Sequence, residues 1–399
     1  MRFVLSVALV AAPALAFAED GGKMQAPAPD TQAVPIIGGS EAGSKWPDTV
    51  AVMYGGYQEC TGTLVAPNVV ITAGHCVVGG APNAVLIGAP ALSKAREGET
   101  IAVEKAIPYP SSQSTLDIGV LVLKVPSKFE PRKVASGWAK FEIVNGAAVQ
   151  FVGFGTVDRD GSVSTDALME ASSTITDFNC SSSSGCNPLA KPDGELGAGG
   201  MGIDTCPGDS GGPMYLMSDI GTFLAGVTSR AYDNARYACG EGGIYGRPDK
   251  IVDWIREQTM VDIAVGPTPT LDHPQLEAVV GDADEVRITP NDPKSNDHTF
   301  SIKTPPGYGK AAVSDEGTVR VCTAAVGTDS LVVTVTDANN PARSVDMKIP
   351  INILDGDMVD DCDETAFGDD GGCCSASRDA RGSIVLAAFV LLALRRRRR

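Results

Sequence analysis

The sequence predicts an all-β protein, and two observations carry that expectation. Short apolar and β-branched runs stand between clusters of Gly, Pro and Ser: Val-Val-Ile-Thr at 69–72, Val-Gln-Phe-Val-Gly at 149–153 and Leu-Ala-Gly-Val-Thr at 224–228. Runs of that length between turn formers read as strands, and their pattern suits a barrel better than alternating strands and helices. Further on, Val345, Met347, Ile349, Ile351 and Ile353 alternate with Ser344, Asp346, Lys348, Pro350 and Asn352. That period of two belongs to a half-buried strand. The 399 residues suffice for two or three domains, and 43% hydrophobic residues can fill their cores.

From the N-terminus, residues 1–18 read as a secretory signal, with Arg2, an apolar run at 3–10 and Ala16-Phe17-Ala18 as the cleavage site. Residues 19–35 contain Pro, Ala and Gly without periodicity and read as a pro-segment. Ten cysteines suit an oxidising compartment. A net charge of −17 excludes nucleic acid as a natural partner, because phosphate binding needs a basic surface.

Three local patterns bear on chemistry: Thr72-Ala73-Gly74-His75-Cys76, Asp117-Ile118-Gly119-Val120-Leu121 and Gly208-Asp209-Ser210-Gly211-Gly212-Pro213. A serine hydroxyl is a weak nucleophile and needs an adjacent base and an anion-stabilising pocket. Of three histidines, only His75 precedes the serine; His273 and His298 follow it. The flanks and the order His, Asp, Ser resemble the chymotrypsin/trypsin-like serine proteases, and the resemblance extends over about 36–259.

That resemblance implies a double six-stranded β-barrel with the catalytic residues between the barrels. It casts Ser210 as nucleophile, His75 as base, Asp117 as orienting acid, and the N–H groups of Gly208 and Ser210 as the oxyanion hole. Ile36-Ile37-Gly38-Gly39 resembles the mature N-terminus of trypsin-like enzymes, which implies an ion pair between a freed Ile36 amine and Asp209. Pro35 stands where such zymogens carry Arg or Lys, so a separate activating protease is expected. Asp204 precedes Ser210 by six residues, after a Gly-rich stretch at 189–203. In the family that position floors the substrate pocket, which implies cleavage after Arg or Lys. Gly243-Ile244-Tyr245 resembles the family's pocket wall. Ser229-Arg230-Ala231 departs from its Ser-Trp-Gly: Ala231 adds a methyl and Arg230 a positive charge near the path of a cationic substrate. Ser229, Ala231 and Gly243 are the remaining expected pocket residues.

The resemblance also pairs Cys60 with Cys76 and Cys206 with Cys239, leaving Cys180 and Cys186 to close a Ser-rich loop. No Cys-x-x-Cys pairs occur in this region, and its one histidine is committed, so no metal and no organic cofactor is expected. Asp249 is placed to cap a last helix with Ile251, Trp254 and Ile255 on one face.

Residues 260–274, rich in Pro and Thr, read as a linker with His273 exposed. Residues 275–354 resemble a cadherin-like or immunoglobulin-like β-sandwich, serving as a spacer or adhesion module. There Asp292, Asp297 and Asp337 read as solvated loop acids, with calcium binding as the alternative, and His298 has no evident partner. A Cys322–Cys362 bridge is expected, with Cys322 on the wetter strand face. Residues 355–372 form an acidic stalk. Cys373, Cys374, the apolar run 382–394 and the arginines 395–399 resemble MYXO-CTERM sorting tails, which implies display at the cell surface or outer membrane. A plain membrane anchor is the alternative. The expected function is a secreted, surface-anchored serine endopeptidase whose partners are protein or peptide substrates, an activating protease and the cell-envelope membrane. The alternative is a protease-fold surface binding protein.

Overall fold

The computed structural model describes residues 36–112, 116–187, 190 and 194–356. The secretory signal, the pro-segment, the stalk beyond 356, Cys362 and the sorting tail lie outside the described residues.

After β1 (Ser40–Glu41), six antiparallel strands close the first barrel in the order β2-β3-β4-β7-β6-β5. They are β2 (Thr49–Tyr54), β3 (Tyr57–Ala66), β4 (Val69–Thr72), β5 (Ala84–Ile87), β6 (Glu99–Pro108) and β7 (Gly119–Leu123). A one-turn helix, α1 (His75–Val78), follows β4. The second barrel consists of β8 (Ala148–Gly153), β9 (Met169–Asp177), β10 (Glu195–Ala198), β11 (Pro213–Ser218), β12 (Gly221–Ala231) and β13 (Gly243–Gly246). Its order is β9-β10-β13-β12-β11-β8, and β8 pairs back to β9. The expected double barrel is therefore present. The Gly-rich stretch before Asp204 carries β10, so sheet pairing to β13 sets its register.

Strand periodicity explains why two barrels share one seam. Val50, Val52, Val70, Leu121 and Leu123 fill the first barrel, while Ala51, Val69, Ile71 and Val120 on the other face pack into the seam. Likewise Phe151, Met214, Leu216 and Ala225 fill the second barrel, and Val152, Tyr215 and Leu224 turn to the seam. Each such buried side chain stabilises by about 1.5–3 kcal/mol. The seam also buries Asp48, which accepts two bonds from Arg132 at 2.9 and 2.7 Å and one from the Tyr215 hydroxyl at 2.5 Å.

The last helix of this region, α2 (Val252–Thr259), buries Ile255, and Trp254 meets Tyr109 edge to face. Asp249 does not cap it. The Asp249 carboxylate accepts from Arg247 at 3.0 and 2.9 Å, and the helix begins at Val252 without a side-chain cap. A nearby guanidinium offers two charge-assisted bonds where a helix start offers one or two N–H groups.

The segment 260–274 lies against the barrels. Ala264 donates to Val65, Val134 to Ala264 and Trp138 to Pro267, and Ile263 is buried in the seam. His273 is exposed as expected and sits 3.1 Å from Asp272. The chain then forms two four-stranded sheets. One is β14 (Thr270–Leu271), β16 (Ala283–Thr289), β19 (Thr318–Thr323) and β18 (Gly309–Val313); the other is β15 (Leu276–Val279), β21 (Ser344–Leu354), β20 (Gly327–Asp337) and β17 (His298–Thr304). Val345, Ile349, Ile351 and Ile353 are buried in their shared core and Met347 packs against it, as the alternation predicts. Cys322 is buried rather than on a wet face, and it is disulfide-bonded.

The barrels and the sandwich meet through the 3-10 turn Gly137–Glu142. Trp138 from this turn is fully buried in the sandwich core, and its indole N–H donates to the Pro290 carbonyl at 2.7 Å. Of the three acids read as solvated, Asp297 is exposed, but the other two are not. Asp292 and Asp337 are buried around Arg343, at 3.0 and 3.6 Å, and Arg343 also reaches Glu142 at 3.4 Å. A buried carboxylate needs a cation, and the guanidinium supplies it where calcium was the alternative. His298 Nε2 lies 3.6 Å from Asp292 Oδ2. Trp138→Ala is expected to cost about 3–5 kcal/mol by leaving a cavity at this junction. Denaturant unfolding checks it; a loss below about 1 kcal/mol would mean that the junction does not depend on the indole.

Candidate active site

His75 follows the end of β4 and opens α1, Asp117 precedes β7, and Ser210 lies in the loop before β11. The three segments converge on the seam because the strands that carry them pack there. The Asp117 carboxylate accepts from the His75 backbone N–H at 2.8 Å through Oδ1, and its Oδ2 lies 2.7 Å from His75 Nδ1. Oδ2 also accepts the Ser229 hydroxyl at 2.7 Å. An ionised carboxylate only accepts, so this contact requires His75 Nδ1 to carry the proton. Burial pushes the Asp117 carboxyl up, but the bonds and charge of His75 and the Ser229 bond outweigh it, leaving the carboxyl below its ordinary range. The Ser210 carbonyl accepts from Thr61 N–H at 2.8 Å and lies 3.7 Å from Cys76 Sγ, beside His75.

The loop before Ser210 is braced from three sides. Gly208 has φ +96°, a conformation that favours glycine. Its carbonyl accepts from Gln58 Nε2 and Thr61 Oγ1, both at 2.9 Å. The N–H groups of Gly208 and Ser210 have no acceptor among the described residues. Asp209 is fully buried and accepts from Gly155 N–H at 2.7 Å and Cys206 N–H at 2.9 Å. Burial raises its carboxyl to about 7. A Cβ on Gly155 would sit 2.5 Å from the Asp209 carboxyl carbon, so the acid occupies space that glycine leaves. Ile36 is fully buried in the second-barrel core. Gln58 and Thr61 had no sequence signal; they reach the loop only because β3 pairs into the first barrel.

Asp204 is 1% exposed. Its carboxylate accepts from Gly240 at 3.0 Å, Gly242 at 2.9 Å and Thr205 at 2.8 Å. Burial nevertheless raises it to about 6, since these bonds offset only part of the desolvation. Gly243 lies beside it and pairs with Ala231 across β12 and β13. Ser229 is not a pocket group alone, since its hydroxyl goes to Asp117. Arg230, read as a positive charge near the substrate path, has a partner of the opposite sign. It forms a fork with the buried Glu195, at 2.8 and 3.0 Å. Between this pair and His75 lies a cavity of about 340 Å³.

Three disulfides are present among the described residues: Cys60–Cys76, Cys180–Cys186 and Cys206–Cys239. The Ser-rich loop of the second folds over Asp177, which accepts the N–H groups of Ser181, Ser182 and Ser183.

The chain is similar in sequence to known serine proteases. The chain is 32% identical over 238 residues to serine protease 56 of Homo sapiens, covering 56% of this chain and 38% of that protein. Among solved structures, mouse neuropsin, a serine protease expressed in the limbic system, aligns at 25% identity and a TM-score of 0.46, over 55% of this chain and 98% of that one. A trypsin of Saccharopolyspora erythraea is 33% identical over 235 residues, 56% of this chain and 97% of that protein. The family model described as trypsin matches residues 36–255. With that match and the near-complete overlap with a bacterial trypsin, the chain belongs to the trypsin family of serine endopeptidases.

Proposed function

We propose that this protein hydrolyses peptide bonds after Arg or Lys, with Ser210, His75 and Asp117 as its catalytic triad. The single observation that carries this reading is the Asp117 carboxylate, bonded at once to His75 Nδ1, His75 N–H and Ser229. In the reaction, Ser210 Oγ bonds to the substrate carbonyl carbon as its proton passes to His75 Nε2. The carbonyl oxygen becomes an anion that the N–H groups of Gly208 and Ser210 stabilise. The C–N bond then breaks, His75 returns the proton to the leaving amine, and water releases the acyl group by the same steps. Asp204 receives the substrate's cationic side chain, with Ala231 and Gly243 as walls. The buried Asp209 is the natural partner for an Ile36 amine freed by an activating protease, because its burial leaves an ionised carboxylate in need of a cation.

In this reading the protease spans 36–259 and residues 275–354 are a cadherin-like or immunoglobulin-like module joined by 260–274. The leading 1–35 export and then mask the enzyme, and the stalk and MYXO-CTERM-like tail hold it at the cell surface. The test is hydrolysis of Arg-, Phe- and Ala-ending peptide amides, before and after cleavage ahead of Ile36. Serine-dependent cleavage after Arg, lost in Ser210→Ala, is expected. Cleavage after Phe or Ala instead overturns the pocket, and equal turnover by Ser210→Ala overturns the triad.

A further inference from the structure

Glu195 opens β10 with a side chain 1% exposed, and a buried carboxylate requires a fixed partner. Arg230 Nη1 donates to Oε1 at 2.8 Å and Nη2 to Oε2 at 3.0 Å, while Nη2 also donates to the Gly185 carbonyl at 2.8 Å. These contacts fix the guanidinium plane. The same Nη1 donates to Ser229 Oγ at 3.0 Å. A guanidinium cannot accept a hydrogen bond, so at this contact the Ser229 hydroxyl must be the acceptor. Its single proton then points to Asp117 Oδ2, 2.7 Å away, which can only accept. That carboxylate oxygen is the one on His75 Nδ1. Five side chains thus form one chain in which every role is fixed: Arg230 donates to Glu195 and to Ser229, Ser229 donates to Asp117, and Asp117 also accepts from His75.

We propose that Arg230, clamped by Glu195, is a positioning residue that aims the Ser229 hydroxyl at Asp117 and so keeps His75 in the tautomer that can take the nucleophile's proton. The proposal rests on the triad reading above. Without Arg230 the Ser229 hydroxyl can rotate to other acceptors, and Asp117 loses a donor that favours its ionised form. Because Glu195 balances the guanidinium charge, the effect runs through the direction of a bond rather than a long-range field. Arg230 is therefore distinct from a residue that touches substrate.

The test is a double-mutant cycle on the whole protein, read as kcat and KM for an Arg peptide amide across pH 5–9. Arg230→Ala is expected to lower kcat about tenfold with KM little changed, and to shift the acidic limb of the pH profile. In a Ser229→Ala background the same change should have no further effect on kcat. Arg230→Lys, which restores one donor, should recover part of the loss. An equal loss in both backgrounds, or a change in KM alone, overturns the proposal. Since Arg230→Ala strands a buried Glu195, the paired change Glu195→Leu with Arg230→Met removes both charges and keeps the volume. It should reproduce the kcat loss at wild-type thermal stability; wild-type kcat in that folded variant overturns the proposal. Ser210→Ala and His75→Ala, run alongside, decide the triad separately.

Discussion

Asp117→Asn is expected to lower kcat/KM by about 10⁴-fold at neutral pH, a magnitude carried over from trypsin-type triads generally. The fold should persist, because an amide has the same shape and can still accept from the His75 N–H. The loss follows from donor and acceptor roles. Asp117 Oδ2 faces His75 Nδ1 at 2.7 Å and the Ser229 hydroxyl at 2.7 Å, both of them donors to it. An amide nitrogen there would confront two donors, while an amide oxygen there would leave its NH₂ against the His75 backbone N–H. The second arrangement sets donor against donor at the backbone, so the amide turns its nitrogen to His75 Nδ1, which must then accept; the imidazole is driven toward the tautomer whose Nε2 already holds a proton and cannot accept one from Ser210. Peptide-amide hydrolysis with active-site titration checks this. A loss smaller than about tenfold would remove Asp117 from the triad.

Asp204→Ser should lower kcat/KM for Arg and Lys substrates by about 10⁴-fold, and for neutral substrates by far less. In the proposed pocket a substrate cation would then have nothing to neutralise it. Equal losses on both classes would show that Asp204 does not select. The wild type adds a pH signature. Burial raises the Asp204 carboxyl from 3.8 to about 6, so this residue, the proposed pocket floor, loses its charge as pH falls through that value. KM for Arg substrates should rise below about pH 6, and KM for Phe or Ala substrates should not. The sign for stability is the reverse. Folded Asp204 keeps a proton that the unfolded chain gives up at lower pH. Its contribution is therefore full below the unfolded value and lost as pH rises through about 6.

Much of the fold was legible because strand periodicity is local. The alternation at 345–353 predicted which side chains are buried, and the short runs at 69–72, 149–153 and 224–228 are strands in the two barrels. The motifs around His75, Asp117 and Ser210 were readable for a related reason: each functional group needs its own neighbours to shape the turn that presents it. The misreadings share another cause. Asp249 has the right spacing for a cap, but Arg247 claims its carboxylate. Asp292 and Asp337 look like loop acids, yet Arg343 lies between them. The partner of Arg230 was likewise invisible in the sequence: Glu195, 35 residues away, meets it in the second barrel.

By itself, then, the sequence determined the all-β class, the order of the three motifs and the position of Asp204 relative to Ser210, all set by residues close together in the chain. Only the tertiary structure decided which charged and polar groups are buried and what each one faces. Those choices include Glu195 with Arg230, Asp48 with Arg132, Asp292 with Arg343, and Gln58 and Thr61 on the Gly208 carbonyl. A charge's partner depends on strand register and on how two barrels meet, and its energy depends on the water that packing removes.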